Sequence, residues 1–391
     1  MPSAFARMLA ARRRHFACHR LALVLVLAAA SNSTFAQDDW KLGGDVRMGY
    51  VASDTRTRNG AESSADSFRA RVRVNLRGEL APGWRAGGRL ATRLDSRQDG
   101  MRFWRKPNAP TATGLEDGQA TIDEAWLEYQ ATDSPFSVRV GRFQAAFAPA
   151  DLMKKSLDQN DSPNFDVTWT DGVWLQWRGS RWTSHAIVRY NDRDGSGTTL
   201  RAPLGFDDSR SRAGLFLATE SREPVGPVVQ RMLTLSWLPS ALHPSGLADA
   251  TVKDYIAFTA KGAAEWPLGE GARKLRLGGE IGWAPETPRR EAMKSGTGEA
   301  DALSWQTSLS IMDIVPRHDV GIVYGRVADG WLLSNDFRPN NSLIEARWVW
   351  RPLPAWQFDA RMRRREEIDL PDGTTHARRD NDIYVRATRR F

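Results

Sequence analysis

The sequence predicts an all-β chain that closes into a transmembrane antiparallel β-barrel of about 16 strands, with short periplasmic turns and long extracellular loops. Three observations point there. The N-terminus carries an export signal, the rest alternates apolar and polar residues with a period of two, and the connectors alternate between short and long.

Residues 1–36 have the layout of a secretory signal peptide. Arg7, Arg12, Arg13, Arg14 and Arg20 form a basic region without an acid, and the apolar run "LALVLVLAAA" follows at 21–30. That run falls well short of the roughly 20 residues a spanning helix needs. The small and polar "SNSTFAQ" then places a cleavage near Ala36, leaving 37–391 as the mature chain. The one cysteine, Cys18, lies inside the signal, so disulfides, thiolate metal sites and cysteine nucleophiles are excluded from the mature chain.

About 355 residues remain, room for one large domain or two ordinary ones. The net charge of +8 includes the five signal arginines, so the mature chain carries only about +3 and nucleic acid is disfavoured as a partner. No apolar stretch after Ala30 approaches helix-spanning length, yet the chain holds 16 tryptophans. An exported chain that is polar on average, rich in Trp and Gly and without a spanning helix fits a barrel whose lipid face and lumen alternate along each strand.

The alternation test, applied in chain order, places strands at 40–51, 68–80, 84–94, 121–131, 135–143, 172–178, 182–191 and 212–219 in the first half. The second half gives 229–238, 255–266, 274–284, 303–313, 318–327, 342–350, 356–366 and 380–391. In the first strand Trp40, Leu42, Gly44, Val46, Met48 and Tyr50 share the outward face. In "FRARVRVNLRGEL" at 68–80, Phe68, Ala70, Val72, Val74 and Leu76 face lipid while Arg69, Arg71, Arg73 and Arg77 face the lumen. Ten tryptophans, Trp40, Trp84 and Trp356 among them, fall near strand ends, where aromatic girdles sit. A soluble β-sandwich would have to be unusually large to use this many strands.

Short turns ("APG", "TDSP", "GSR", "IVPR", "RPLPA") alternate with long polar loops, the longest being 144–171. That asymmetry puts short turns on the periplasmic side and long loops outside, and an even strand count returns both ends to the periplasm.

Closing the barrel makes the last strand a neighbour of the first, and an arginine wall results. Its inward positions are Arg361, Arg363, Arg365, Arg386, Arg390, Arg47, Arg69, Arg71, Arg73, Arg77, Arg85, Arg89 and Arg93. Acids on the same face are fewer: Asp45, Glu79, Asp95, Asp359 and Asp382. A dry interior tolerates so many guanidinium groups only if they are paired, whereas a wet lumen accepts them. Elsewhere the lumen reads as less basic, with Ser304, Gln306, Ser308 and Ser310 on one strand and Glu124 and Glu128 on another.

The segments "DEAWLEY" (123–129), "VRVGRF" (138–143) and "TDGVWLQW" (170–177) resemble the mid-barrel strands of Gram-negative outer-membrane porins, of the 16-stranded general or phosphate-selective O/P type. The terminal strand, ending in Phe391, resembles the C-terminal signal read by the barrel-assembly machinery, although Arg389 stands where an apolar residue is usual. The resemblance implies a water-filled channel for small hydrophilic solutes in the outer membrane, surrounded by lipid and lipopolysaccharide and often trimeric. It also implies that the third long loop folds into the lumen as a constriction. Here that is 144–171, with Asp151, Lys154, Lys155, Asp158, Asp161 and Asp166 as its charges. "APADLMKKSLD" within it is expected to form a short helix capped by Asp151. A basic wall facing an acidic loop would set up a transverse field, whereas loop acids that miss the wall would leave a net positive path favouring anions. Phosphate suits such a path because arginine offers it a two-pronged donor.

Catalysis is not expected. The mature histidines His185, His243, His318 and His376 have no metal-ligand spacing, and there is no Gly-x-Ser-x-Gly elbow. No metal or cofactor is expected. An exporter of an acidic polysaccharide, which would also want an arginine-lined lumen, is the competing reading.

Overall fold

A computed structural model describes residues 40–97, 102–103, 118–161, 164–193, 201–202, 211–242, 253–293, 296–333 and 336–391; the expected signal peptide lies outside them. Sixteen long strands follow one another in the chain. The first eight are β1 (Trp40–Arg56), β2 (Glu62–Ala81), β3 (Trp84–Asp95), β4 (Gln119–Gln130), β5 (Phe136–Phe143), β6 (Thr170–Arg178), β7 (Thr183–Arg193) and β8 (Ser211–Ser221). The rest are β9 (Val228–Leu242), β10 (Lys253–Pro267), β11 (Lys274–Trp283), β12 (Ser304–Val315), β13 (His318–Val327), β14 (Asn341–Trp350), β15 (Trp356–Glu367) and β16 (Arg379–Arg390). Each pairs antiparallel with its neighbours in sequence, and β16 returns to pair with β1 from Asp45↔Arg390 to Arg56↔Arg379. The sheet has no free edge, as a lipid-exposed sheet requires.

Side-chain parity follows the alternation. On β16 Ile383 and Val385 are exposed while Tyr384 and Arg386 are buried, and on β2 Phe68 and Leu76 are exposed while Arg71 is fully buried. The outer face therefore carries apolar side chains that would be costly in water and are favourable against lipid.

Two departures from the expected strands have local causes. β1 and β2 run further than the alternation shows, to a tight turn where Thr57 N and Gly60 N bond Ala61 O and Thr57 O. Beyond the apolar band both faces of this hairpin are polar ("SDTR", "ESSADS"), so the hydrophobic period vanishes although the ladder continues. On β4 a bulge opposite Arg89 and Leu90 turns both Asp123 and Glu124 into the interior, where strict alternation places only Glu124.

The apolar core sits inside the barrel. Residues 144–161 and 164–169 run from β5 to β6 inside the barrel, packing first on β7–β9, where Phe147 meets Phe216 and Met232. Leu152, Met153 and Leu157 then join Tyr255, Val323 and Leu343 of the wall. Val167 and Trp169 finally close on Ala91 of β3. Between β13 and β14, residues 328–333 and 336–340 also turn inward and add Trp331, Leu332, Leu333 and Phe337 to the core.

The helix expected around 149–158 does not form. Asp151 does cap one turn, its Oδ1 accepting the Lys154 N–H at 2.7 Å, but Lys154 then takes a φ of +51°, which breaks the helical path. The following N–H groups go to wall and loop carboxylates instead: Ser156 to Asp336 at 2.9 Å and Leu157 to Glu280 at 2.9 Å. Side chains of other elements thus take the donors a helix would have used internally.

Candidate functional site: the arginine-lined lumen

The period of two places an arginine at every inward position of 361–365 and 69–73, and the register then aligns these strands sideways. Arg47 lies opposite Arg71, Arg71 opposite Arg93, and Arg361 opposite Arg347. Like charges directly across strands repel, so each must find an acceptor or water.

The wall divides by how that is achieved. On β2 and β3 the arginines are held by carboxylates. Arg89 binds Asp123 at 2.6 Å and Glu124 at 2.7 Å, Arg77 binds Glu124 at 2.8 Å, and Arg85 binds Glu128. Arg69 binds Asp95 at 3.0 Å, and Asp45 takes both Arg71 at 3.0 Å and Arg73 at 2.6 Å. Arg71 also donates to the loop carbonyl of Asp166 at 3.0 Å, while Arg93 stands 3.5 Å from the Asp166 carboxylate.

On β14 to β1 the pairing is thinner. Asp382 serves both Arg361 and Arg363, and Asp359 serves both Arg347 and Arg386. Arg47 has Asp45 at 3.4 Å and donates to the backbone oxygen of Asn164. Arg365 donates to the Asp336 carbonyl at 2.9 Å. Among the described residues, Arg365, Arg390 and Lys154 form no ion pair with a carboxylate.

These residues line a cavity of about 670 Å³ between the 144–169 loop and the β14–β1 wall. Fourteen Lys and Arg side chains line it, against six carboxylates. Of the arginines read from the sequence, Arg47, Arg69, Arg361, Arg363, Arg365, Arg386 and Arg390 line this cavity; Arg71, Arg73, Arg77, Arg85, Arg89 and Arg93 do not. The cavity also takes Arg276, Arg338, Arg347, Arg351, Arg378 and Glu345, which the sequence reading passed over. Arg347 and Glu345 had a signal: both sit at inward positions of β14. The loop arginines Arg338 and Arg378 had none, because period-two reasoning stops at strand ends.

Of the loop acids, Asp158 and Asp161 lie outside the cavity lining, and Asp151 and Asp166 line it without pairing with Arg365 or Arg390. Asp151 accepts from Ser308 on β12, Asp158 binds Lys261 on β10, and Asp161 accepts from Ala145 N of its own loop at 3.0 Å and from Thr170 at the start of β6 at 2.9 Å. Asp166 approaches the wall at Arg93, 3.5 Å away. Burial pushes the Asp151 carboxyl up from its ordinary value. Burial also opposes ionisation of Asp158, but the adjacent Lys261 outweighs it and holds that carboxyl low. Lys155, paired with Glu345 at 3.0 Å, is lowered mainly by burial. Lys154 is lowered by burial and by repulsion from Arg347, Arg351 and Arg390. The loop thus brings Lys154 and Lys155 to the cavity together with Asp151 and Asp166, while the wall opposite brings mostly arginines.

A family model described as Gram-negative porin matches residues 22–259. No protein with a curated description matches the chain. Among solved structures, OprB of Pseudomonas putida superposes with a TM-score of 0.60 at 10% identity, covering 90% of this chain and 94% of that one. OprD of Pseudomonas aeruginosa gives 0.53 at 10% identity, over 90% and 95% of the two chains. The anion-selective porin from Comamonas acidovorans gives 0.51 at 12% identity, over 90% and 99%. These likenesses agree with the closed 16-strand barrel, and the match of the family model over more than half the chain shows that it belongs to the Gram-negative porin family.

Proposed function

We propose that this outer-membrane diffusion channel passes small hydrophilic anions in preference to cations, phosphate-sized solutes among them. One observation carries the reading: the water-accessible path, about 670 Å³, is lined by fourteen cationic side chains and six carboxylates. Lumen charge of one sign raises the local concentration of the opposite ion and tunes selectivity. Arg365 and Arg390, with no carboxylate partner among the described residues, supply donors that an oxyanion accepts in two-pronged fashion. Two inward segments filling the far half of the lumen support small solutes over a polysaccharide chain. The 144–169 loop acts in this reading as the constriction. Export with cleavage near Ala36, assembly through the Phe391 strand and a homotrimer among lipid and lipopolysaccharide belong to the same proposal.

Single-channel recording in planar bilayers under asymmetric salt tests it. The expected reversal potential has the sign of anion preference. A cation-preferring potential would overturn the anion reading, and absence of conductance would overturn the channel.

A further inference from the structure

Across the lumen from the arginine wall, a buried lysine meets the constriction loop. Lys261 lies in the Ala- and Gly-rich middle of β10, and its side chain is completely buried. Its ammonium donates to the Phe147 carbonyl at 2.6 Å and to Ser156 Oγ at 2.9 Å, and it pairs with Asp158 of the loop and with Glu280 of β11 at 3.0 Å. Both carboxylates reach further. Asp158 accepts from Thr259 at 3.1 Å, and Glu280 accepts from the Leu157 N–H at 2.9 Å. Backbone and side chains of residues 147–158 thus converge on a single ammonium group.

We propose that Lys261 is the positioning residue that holds the loop docked, and that it thereby sets both the width of the path and its charge sign. The proposal rests on the chain acting as a diffusion channel. A buried cation shared by two buried carboxylates cannot be removed without leaving like charges unpaired in a dry site. Such a loss shifts the ratio of docked to released loop by about a hundredfold or more. On the opposite side the loop is held by the buried Lys155–Glu345 pair at 3.0 Å and by Arg47, Arg71 and Arg386 donating to Asn164 and Asp166. A released loop widens the path and frees Asp158, now kept away from the arginines, to enter it. Lys261 therefore acts on selectivity without touching the solute.

The test compares wild type, Lys261→Met and Lys261→Arg in planar bilayers, with heat-modifiable gel mobility reporting the folded barrel. Lys261→Met is expected to raise single-channel conductance about twofold or more and to move the reversal potential toward cations, as lumen geometry and charge together set permeation. Lys261→Arg, which keeps the charge, is expected to stay near wild type. Inserted Lys261→Met pores with wild-type conductance and reversal potential overturn the proposal. So does a lower yield of folded barrel with unchanged pores, which would assign Lys261 to barrel stability alone. If Lys261→Met gives no folded barrel, Asp158→Asn and Glu280→Gln, each loosening the same lock, must raise conductance; unchanged pores in both overturn it. A wild-type channel that prefers cations would refute the anion reading yet leave the conductance comparison intact.

Discussion

Reversing Lys154, Arg365 and Arg390 together to Glu should convert the channel from anion-preferring to nearly unselective. None of the three has a carboxylate partner among the described residues, so their replacement strands no buried acid and the barrel should still assemble. The cavity lining carries a formal surplus of eight positive charges, and the three reversals reduce it to two. In a space of 670 Å³ a single monovalent ion already amounts to about 2.5 M, so this surplus dominates over ions entering from a dilute bath. One unit charge about 7 Å from a passing ion changes its energy by about 0.6 kcal/mol even at the dielectric of water. Screening over about 10 Å at 0.1 M salt weakens the more distant terms. Six charge units at that distance, about halved by this screening, then change the energy of a single passing ion by about 2 kcal/mol, or about thirtyfold in its partitioning into the path. Under a tenfold salt gradient the wild type should approach the one-charge limit of about 59 mV with the anion sign, and the triple variant should fall near zero. At 1 M salt, where the screening length is about 3 Å, the difference should shrink. A triple variant with the wild-type potential at low salt would refute the reasoning.

Other consequences follow from the same geometry. Because burial and repulsion from Arg347, Arg351 and Arg390 lower Lys154, it sheds its proton before an ordinary lysine does, and anion preference should drop as pH rises through that lowered value. Lys154→Met should lack this alkaline drop. The unfolded chain holds that proton more tightly, so Lys154 makes stability rise with pH between its lowered value and the ordinary one, a slope the variant should lose in pH-dependent denaturation. Trp331→Ala removes a fully buried ring and its N–H bond to the Leu157 carbonyl at 2.7 Å, so the barrel's unfolding in detergent should be destabilised by about 3–5 kcal/mol. Gly44→Val should block closure, because a Cβ there would lie 2.7 Å from the Phe391 ring, and Phe391 N and O are the groups that pair with Gly44 at the seam. Heat-modifiable gel mobility should then show little folded barrel.

Much of the fold was legible because a membrane barrel writes its two faces into every second residue. The strand at 68–80 shows this: Arg71 and Phe68 fell on the sides their parity assigned. Parity fails where both faces are wet, as at the β1–β2 tip, and where a bulge inserts a residue, as at Asp123. It also fixes only the face of a side chain, not its partner. That Asp45 would take Arg71 and Arg73 while Arg365 would take no carboxylate depends on register and on where the loop lies. The inward turn of 328–333 and 336–340 lies between strands, where parity says nothing, although "GWLL" is too apolar for an external loop. Lys261 carries no sequence signal of its own. A single lysine in "FTAKGAAEW" becomes a loop anchor only when the fold brings Asp158 and Glu280 to it.

The most direct measurement is the reversal potential of the wild-type channel under a tenfold gradient of potassium chloride with the dilute side near 0.1 M, where screening reaches about 10 Å. A cavity lined by fourteen cations and six carboxylates should give a potential of the anion sign. A potential of the cation sign would contradict the assignment of that lining to the conduction path.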